Sequence, residues 1–161
     1  MMDLFRYFSL VFSYPTEDTL QELGEISRTA DFSGPLCEGE LKSMSLEDMQ
    51  AEYTRLFISA FPRLLCPPYE SYYREGVVYG NASVEVRELY EKHGLHFGYE
   101  GEPPDLFSAE LEFLALTNDA IFLERMKEWV FDFTSGVREH SNIYGRCAEA
   151  FEDFIRSGNR I

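Results

Sequence analysis

The stretch SLEDMQAEYTRLF, residues 45–57, decides how this chain is read. Its apolar residues Leu46, Met49, Tyr53, Leu56 and Phe57 recur at the spacing that lines one face of an α-helix. Ser45, three residues ahead of Asp48, is close to a capping box, in which a side-chain oxygen takes up an orphan N–H of the first turn. The same period returns on both sides of this segment. Toward the N-terminus, Leu4, Phe5, Phe8, Val11 and Phe12 make a stripe that Pro15 ends, and Thr16 can cap a second helix carrying Leu20, Leu23 and Ile26. Between Asp31 and Ser43 the period lapses into a loop or a ragged short helix. Toward the C-terminus, Ser83 reads as the cap of a helix running to about His93, where Gly94 stops it. Phe107, Leu111 and Leu114 resume the pattern, and Asn118-Asp119 mark a tight turn. One further stripe runs through Phe122, Met126, Trp129, Val130, Phe133 and Val137, and a last one through Tyr144, Cys147, Ala148, Phe151, Phe154 and Ile155. Alternation with a period of two almost never lasts long enough for a strand. The spacing therefore predicts an all-α bundle, one compact domain over residues 1–161, with about seven helices and two long irregular loops.

Composition supports a packed core and excludes several functions. The 161 residues are 45% hydrophobic and 16% aromatic, ample apolar surface to outweigh chain entropy. Against 14 basic residues stand 29 acidic ones, a net charge of −15, so a nucleic-acid backbone or an anionic membrane surface would repel the chain. No apolar run reaches the roughly 18 residues that a membrane span needs. The opening MMDLFRYFSLVFSYP contains Asp3 and Arg6 and reads as a helix of the mature protein, not as a targeting signal. Cys37, Cys66 and Cys147 form neither a CxxC pair nor a disulfide framework, and the expected compartment is the cytoplasm. Asn81-Ala82-Ser83 matches a glycosylation acceptor, which such a compartment makes a chance match.

Chemistry-bearing patterns are sparse. His93 and His96 are spaced as two ligands on one helix face could be, but Gly94 ends the helix between them. No nucleophile elbow and no glycine-rich phosphate loop is present, and carboxylates are so plentiful that their proximity carries no information. Binding is favoured over catalysis by elimination; the chain is expected to be no enzyme and to carry no cofactor or metal. The segment SAFPRLLCPPYESYYREGVVYGNA, residues 59–82, and a second, HFGYEGEPPD at 96–105, fit no helical stripe, and Val77-Val78-Tyr79 could at most pair briefly. Two readings of their rings stay open: Tyr69, Tyr72 and Tyr73 cover helix ends, or they line an apolar groove with polar tips.

The ordered set EYTRLFISAF, PPYESYY at 67–73, VEVRELYEKHGLHF and EPPDLFSAELEFLA at 102–115 resembles the TorD/DmsD/NarJ family of redox-enzyme maturation chaperones. The resemblance runs from LFRYFSLVFSYP to the Tyr144 helix. It implies an all-helical cytoplasmic protein that holds the apo catalytic subunit of a molybdenum-containing oxidoreductase until its cofactor is inserted, often by binding the subunit's twin-arginine leader peptide. It also places residues. Tyr53, Leu56, Phe57 and Phe61 match a segment that helps line the peptide-binding surface, and Tyr69, Glu70 and Ser71 match a Pro-Pro-aromatic loop. Pro104 and Asp105 match a proline, aspartate, histidine motif in which Leu106 stands where histidine is usual. Relatives usually have a longer connection between Leu116 and Trp129, so the helix pair around Asn118 should be shorter here.

A leader with two guanidinium groups and an apolar stretch asks for carboxylates beside a greasy groove, and Glu70, Glu102 and Asp105 flank the aromatic loops in sequence. The expected picture is an oily trough between the Tyr53 helix and the loops at 61–73 and 100–106, with an acidic lip. The expected partner is an apo molybdoenzyme subunit, with no nucleic acid and no membrane insertion, bound by a monomer or a segment-swapped dimer. Two rival readings use other features: a small helical metal protein or enzyme built on His93 and His96, and a helical adaptor for an unrelated complex.

Overall fold

A computed structural model of the chain describes residues 2–29 and 38–157. It is all-helical, and no strand occurs among the described residues beyond one isolated bridge between Tyr69 and Leu106. Helix α1 (Met2–Val11) is followed by α2 (Glu17–Thr29), the short α3 (Glu38–Lys42) and α4 (Leu46–Tyr53). The chain then makes a π-helical turn over Thr54–Ile58, closed by Ser59 N–H donating to the Thr54 carbonyl at 2.7 Å. Next come α5 (Glu70–Glu75), α6 (Asn81–Lys92), α7 (Phe107–Thr117), α8 (Ala120–Lys127), α9 (Val130–His140) and α10 (Asn142–Arg156).

The ends of these helices follow the capping chemistry of the sequence at most points. Thr16 Oγ1 accepts from Thr19 N–H and Ser45 Oγ from Asp48 N–H, each at 3.1 Å. Asn118 adopts the left-handed conformation (φ 51°) and Asp119 caps α8 by accepting from Ile121 and Phe122, so two residues suffice to turn α7 into α8. Gly94, left-handed at φ 72°, closes α6 as its position predicts.

Three expectations are corrected. Ser83 is not the cap of α6: the helix begins at Asn81, Ser83 is buried within it, and the carboxylate of Glu75 accepts from Asn81 and Ala82 N–H at 2.9 Å each. The segment 59–82 is not one long loop, since α5 forms in its middle where Asp105 supplies a cap from elsewhere in the chain. The stripe from Phe122 to Val137 is continuous in packing but broken in backbone at Glu128 and Trp129, giving α8 and α9. These divisions raise the helices above about seven. Of the segment from Asp31 to Ser43, expected to be a loop or a ragged short helix, residues 31–37, with Cys37, lie outside the described residues, and 38–42 are the short helix α3.

The core is largely aromatic. Helix α1 lies on α7 and α2, while α9 packs on α10. Ser9 and Ser108 let α1 and α7 approach closely, and the Ser9 hydroxyl donates to the Ser108 carbonyl at 2.8 Å. Phe8 stacks on Phe154 at 5.6 Å, and Phe107 meets Phe12, Phe133 and Phe151 at 4.8 to 5.2 Å, mostly edge to face. No helix of the described residues is long and apolar enough to cross a membrane.

Candidate functional site at the joint of two proline-rich loops

The two irregular segments singled out by the sequence do meet. Tyr69 and Leu106 are both extended and pair in antiparallel fashion. Glu70 N–H donates to the Asp105 carbonyl at 3.1 Å and Phe107 N–H to the Pro68 carbonyl at 2.8 Å. Prolines at 67, 68, 103 and 104 lack a donor and hold the chain out of helix, which frees these carbonyls for the partner loop. Asp105 then acts twice, since its Oδ2 also accepts from Ser71 N–H at 2.7 Å, satisfying an orphan donor of the first turn of α5. The Tyr90 hydroxyl donates to the Pro104 carbonyl at 2.8 Å, tying α6 into the same joint. At the outer edge, Tyr69 donates to Glu102 Oε2 at 2.8 Å; burial and then this carboxylate push the Tyr69 phenol above its ordinary range.

Behind the joint lies a compact set of charges. Glu70 is fully buried, a position that is costly for a carboxylate unless it is paired. Two guanidinium groups reach its Oε1: Arg74 from the same helix, and Arg125 from α8 at 2.9 Å. Arg125 also reaches Glu85 at 2.8 Å, and Arg74 reaches Glu128 at 2.9 Å and the Arg125 carbonyl at 3.0 Å, so α5, α6 and α8 share one network. Glu110 of α7 is fully buried as well, with no hydrogen-bond partner on either oxygen. Burial, then the neighbouring Glu70, then Asp105 drive its carboxyl well above the usual carboxylate range.

The residues expected to form the site therefore divide into two sets. Phe61 is 91% exposed, Glu102 is exposed, and Tyr69 and Leu106 are half-buried. Glu70, Ser71, Pro104 and Asp105 are buried. Tyr53, Leu56 and Phe57 lie inside the core, where the Tyr53 hydroxyl donates to the Phe12 carbonyl at 3.0 Å and Phe57 packs on Phe133 and Tyr144. The picture of an open trough lined by these three rings with Glu70 and Asp105 on its lip is corrected: the rings are sealed, and the two carboxylates hold the joint together from within. The open choice about the other tyrosines resolves in part, since Tyr73 stacks on buried Trp129 at 5.7 Å while Tyr72 remains exposed.

Sequence reasoning missed Arg74, Glu110 and Arg125. One signal was available for Glu110: FSAELEFLA, charged only at Glu110 and Glu112, is apolar on nearly every face, which leaves little room for both acids to face water. His93 bonds the Leu89 carbonyl through Nδ1 at 3.0 Å and meets Asp119 through Nε2 at 3.3 Å, and the described residues contain no group of three or more metal-ligating side chains.

Comparison with known proteins gives this arrangement a context. No curated protein matches the chain significantly. A solved structure described as a candidate redox enzyme maturation protein from Archaeoglobus fulgidus is similar at 42% identity and a TM-score of 0.88, covering 97% of this chain and 94% of that one. The family model "Nitrate reductase delta subunit" matches residues 15–153, which include every element from α2 to the last turns of α10. The chain belongs to the nitrate reductase delta subunit family, the NarJ/TorD type of maturation chaperone.

Proposed function

We propose that this protein is a cytoplasmic, non-enzymatic chaperone that binds the apo catalytic subunit of a molybdenum-cofactor oxidoreductase, through that subunit's leader peptide, and keeps it ready for cofactor insertion. Family membership supports the class of activity. The observation that carries the reading further is the joint itself. A buried charge network holds Tyr69 and Leu106 edge to edge and leaves Phe61, Glu102 and the outer faces of Tyr69 and Leu106 facing outward. A rigid base presenting rings and a carboxylate suits a peptide that is apolar and cationic in turn. The net charge of −15 would hasten encounter with such a peptide and make it sensitive to salt. Leu106 removes the titrating group that histidine would place here, so binding should not change as pH crosses the histidine range on account of this position. Monomer and segment-swapped dimer both serve this role.

The test is retention of a client. The tagged chain is expressed in its own cell, and the retained proteins are identified together with their molybdenum content. Recovery of a molybdoenzyme catalytic subunit lacking cofactor supports the reading; its consistent absence, with an unrelated complex retained in its place, favours the adaptor. Phe61→Ala with Glu102→Lys should lower recovery without altering the fold, since both side chains are exposed.

A further inference from the structure

The two helices that leave the joint each carry a buried glutamate in their opening turn. Glu70 is the first residue of α5, and its N–H donates to the Asp105 carbonyl at 3.1 Å; Glu110 N–H closes the first turn of α7 by donating to the Leu106 carbonyl at 3.0 Å. The pairing of Tyr69 with Leu106 sets these turns against each other, and the two glutamate side chains, both fully buried, lie within hydrogen-bonding reach of one another. Donors and acceptors do not balance there. Both guanidiniums go to Glu70 Oε1, which leaves Glu70 Oε2 and both oxygens of Glu110 without a partner. A buried acceptor without a donor is costly, and two carboxylate anions in contact away from water cost more.

The groups facing Glu110 supply no such donor. Glu70 from α5 and Asp105 from the loop are acids, and Asp105 Oδ2 is taken by Ser71 N–H. Tyr90 from α6 donates its hydroxyl to the Pro104 carbonyl. Arg125 from α8, the cation that faces Glu110, is in ion-pair contact with Glu70 and Glu85, while Arg6 of α1 is turned to Glu22 and Glu112. We propose that one proton, carried by the Glu110 carboxyl and donated to Glu70 Oε2, is a structural part of the joint, and that its release loosens the clasp of the two proline-rich loops. That proton gives Glu70 Oε2 its donor and turns Glu110 from an anion into an acid with a single acceptor left over. Glu110 is the donor because Glu70 already holds two guanidiniums on its other oxygen and is the anion shared by α5 and α8. Burial and then the charge of Glu70 favour the protonated form of Glu110. When the proton leaves, like charges stand in contact between the opening turns of α5 and α7. The bonds of the clasp, Phe107 N–H to the Pro68 carbonyl at 2.8 Å and Glu70 N–H to that of Asp105, join the same two turns and take up the repulsion.

Two measurements on the whole chain test this. In the first, the carboxyl carbons of isotope-labelled glutamate are assigned by NMR and followed as pH rises. Glu110 should keep the shift of a protonated acid after the exposed glutamates have ionised near their ordinary value of about 4.5. A Glu110 that ionises together with them overturns the proposal, as does a protonated signal that belongs to Glu70 in its place. In the second, hydrogen exchange of the Phe107 and Ser71 amides, corrected for the intrinsic base-catalysed rate, reads the clasp. With the proton held only in the closed form, the opening equilibrium should grow by about tenfold per pH unit above about pH 4.5, until the folded acid itself ionises. Glu110→Gln keeps the shape and has no proton to lose, so its opening should stay level. Glu112→Gln, at a half-buried carboxylate that meets Arg6, should retain the slope of the unaltered chain. Equal pH dependence in the unaltered chain and Glu110→Gln overturns the coupling, and so does a slope that Glu112→Gln loses as well. Should Glu110→Gln fail to fold, the titration of the unaltered chain decides whether the proton is there.

Discussion

Ser71 N–H and the Asp105 carboxylate, separated by 34 residues in sequence, meet at 2.7 Å with both residues fully buried. This bond lets the six-residue α5 begin where no local side chain caps it. Asp105→Ala would leave that N–H unpaired in the interior and should cost about 2 to 4 kcal/mol, while Asp105→Asn, which keeps an acceptor oxygen, should cost less. Urea unfolding of the three proteins checks the order; equal stability of Ala and unaltered forms would show that the bond contributes nothing.

Glu110 should be a stability cost at neutral pH. Its folded-state pKa is raised above the ordinary 4.5, first by burial and then by Glu70, so the stability contributed by its protonated form is complete below about pH 4.5 and is lost as pH rises. Glu110→Gln keeps the shape of the neutral acid and removes the titration. The variant should therefore gain on the unaltered chain as pH rises above about 4.5, ending ahead by about 1 to 3 kcal/mol. A difference that does not change with pH would refute this account.

Gly80 and Glu75 should behave as one unit. A Cβ at Gly80 would collide with the Glu75 carboxylate that accepts from Asn81 and Ala82. Those N–H groups, Ala82 first, hold the Glu75 carboxyl below its ordinary 4.5, so its contribution to α6 is present above that pH and fades as pH falls. Gly80→Ala and Glu75→Gln should each lower the thermal midpoint, and the double variant should lie no lower than the worse single one. Full additivity in calorimetry would mean that the clash does not act through the cap.

Gly145 should resist the substitution that most helices welcome. Alanine normally stabilises a helix relative to glycine by about 1 kcal/mol. Here its Cβ would stand 3.2 Å from the Arg138 Cα, where α9 and α10 cross. Gly145→Ala should therefore destabilise by about 1 to 3 kcal/mol. An increase in stability on chemical denaturation would show that the two helices separate easily.

Much of the fold was legible because helices announce themselves locally. Leu46, Met49, Tyr53, Leu56 and Phe57 form one stripe in the sequence, and all except the half-buried Leu46 are buried in the structure. Thr16, Ser45, Gly94, Asn118 and Asp119 mark helix ends by chemistry that acts over a few residues. The same stripe misled at the site, since the rings of Tyr53 and Phe57 serve the core and leave nothing for a peptide. Helix α5 was invisible for the complementary reason: its cap comes from Asp105, far along the chain.

The sequence by itself determined that the chain is helical, acidic and interrupted by two proline-rich segments, because periodicity, charge and the missing proline donors are properties of neighbouring residues. Tertiary structure alone decided that the two segments clasp each other, that Glu70 and Asp105 face inward to Arg74, Arg125 and Ser71, and that Glu110 is buried beside them with its carboxyl driven upward. Those outcomes depend on distances between elements that are remote in sequence and on the removal of water from the space between them, and no local pattern encodes either.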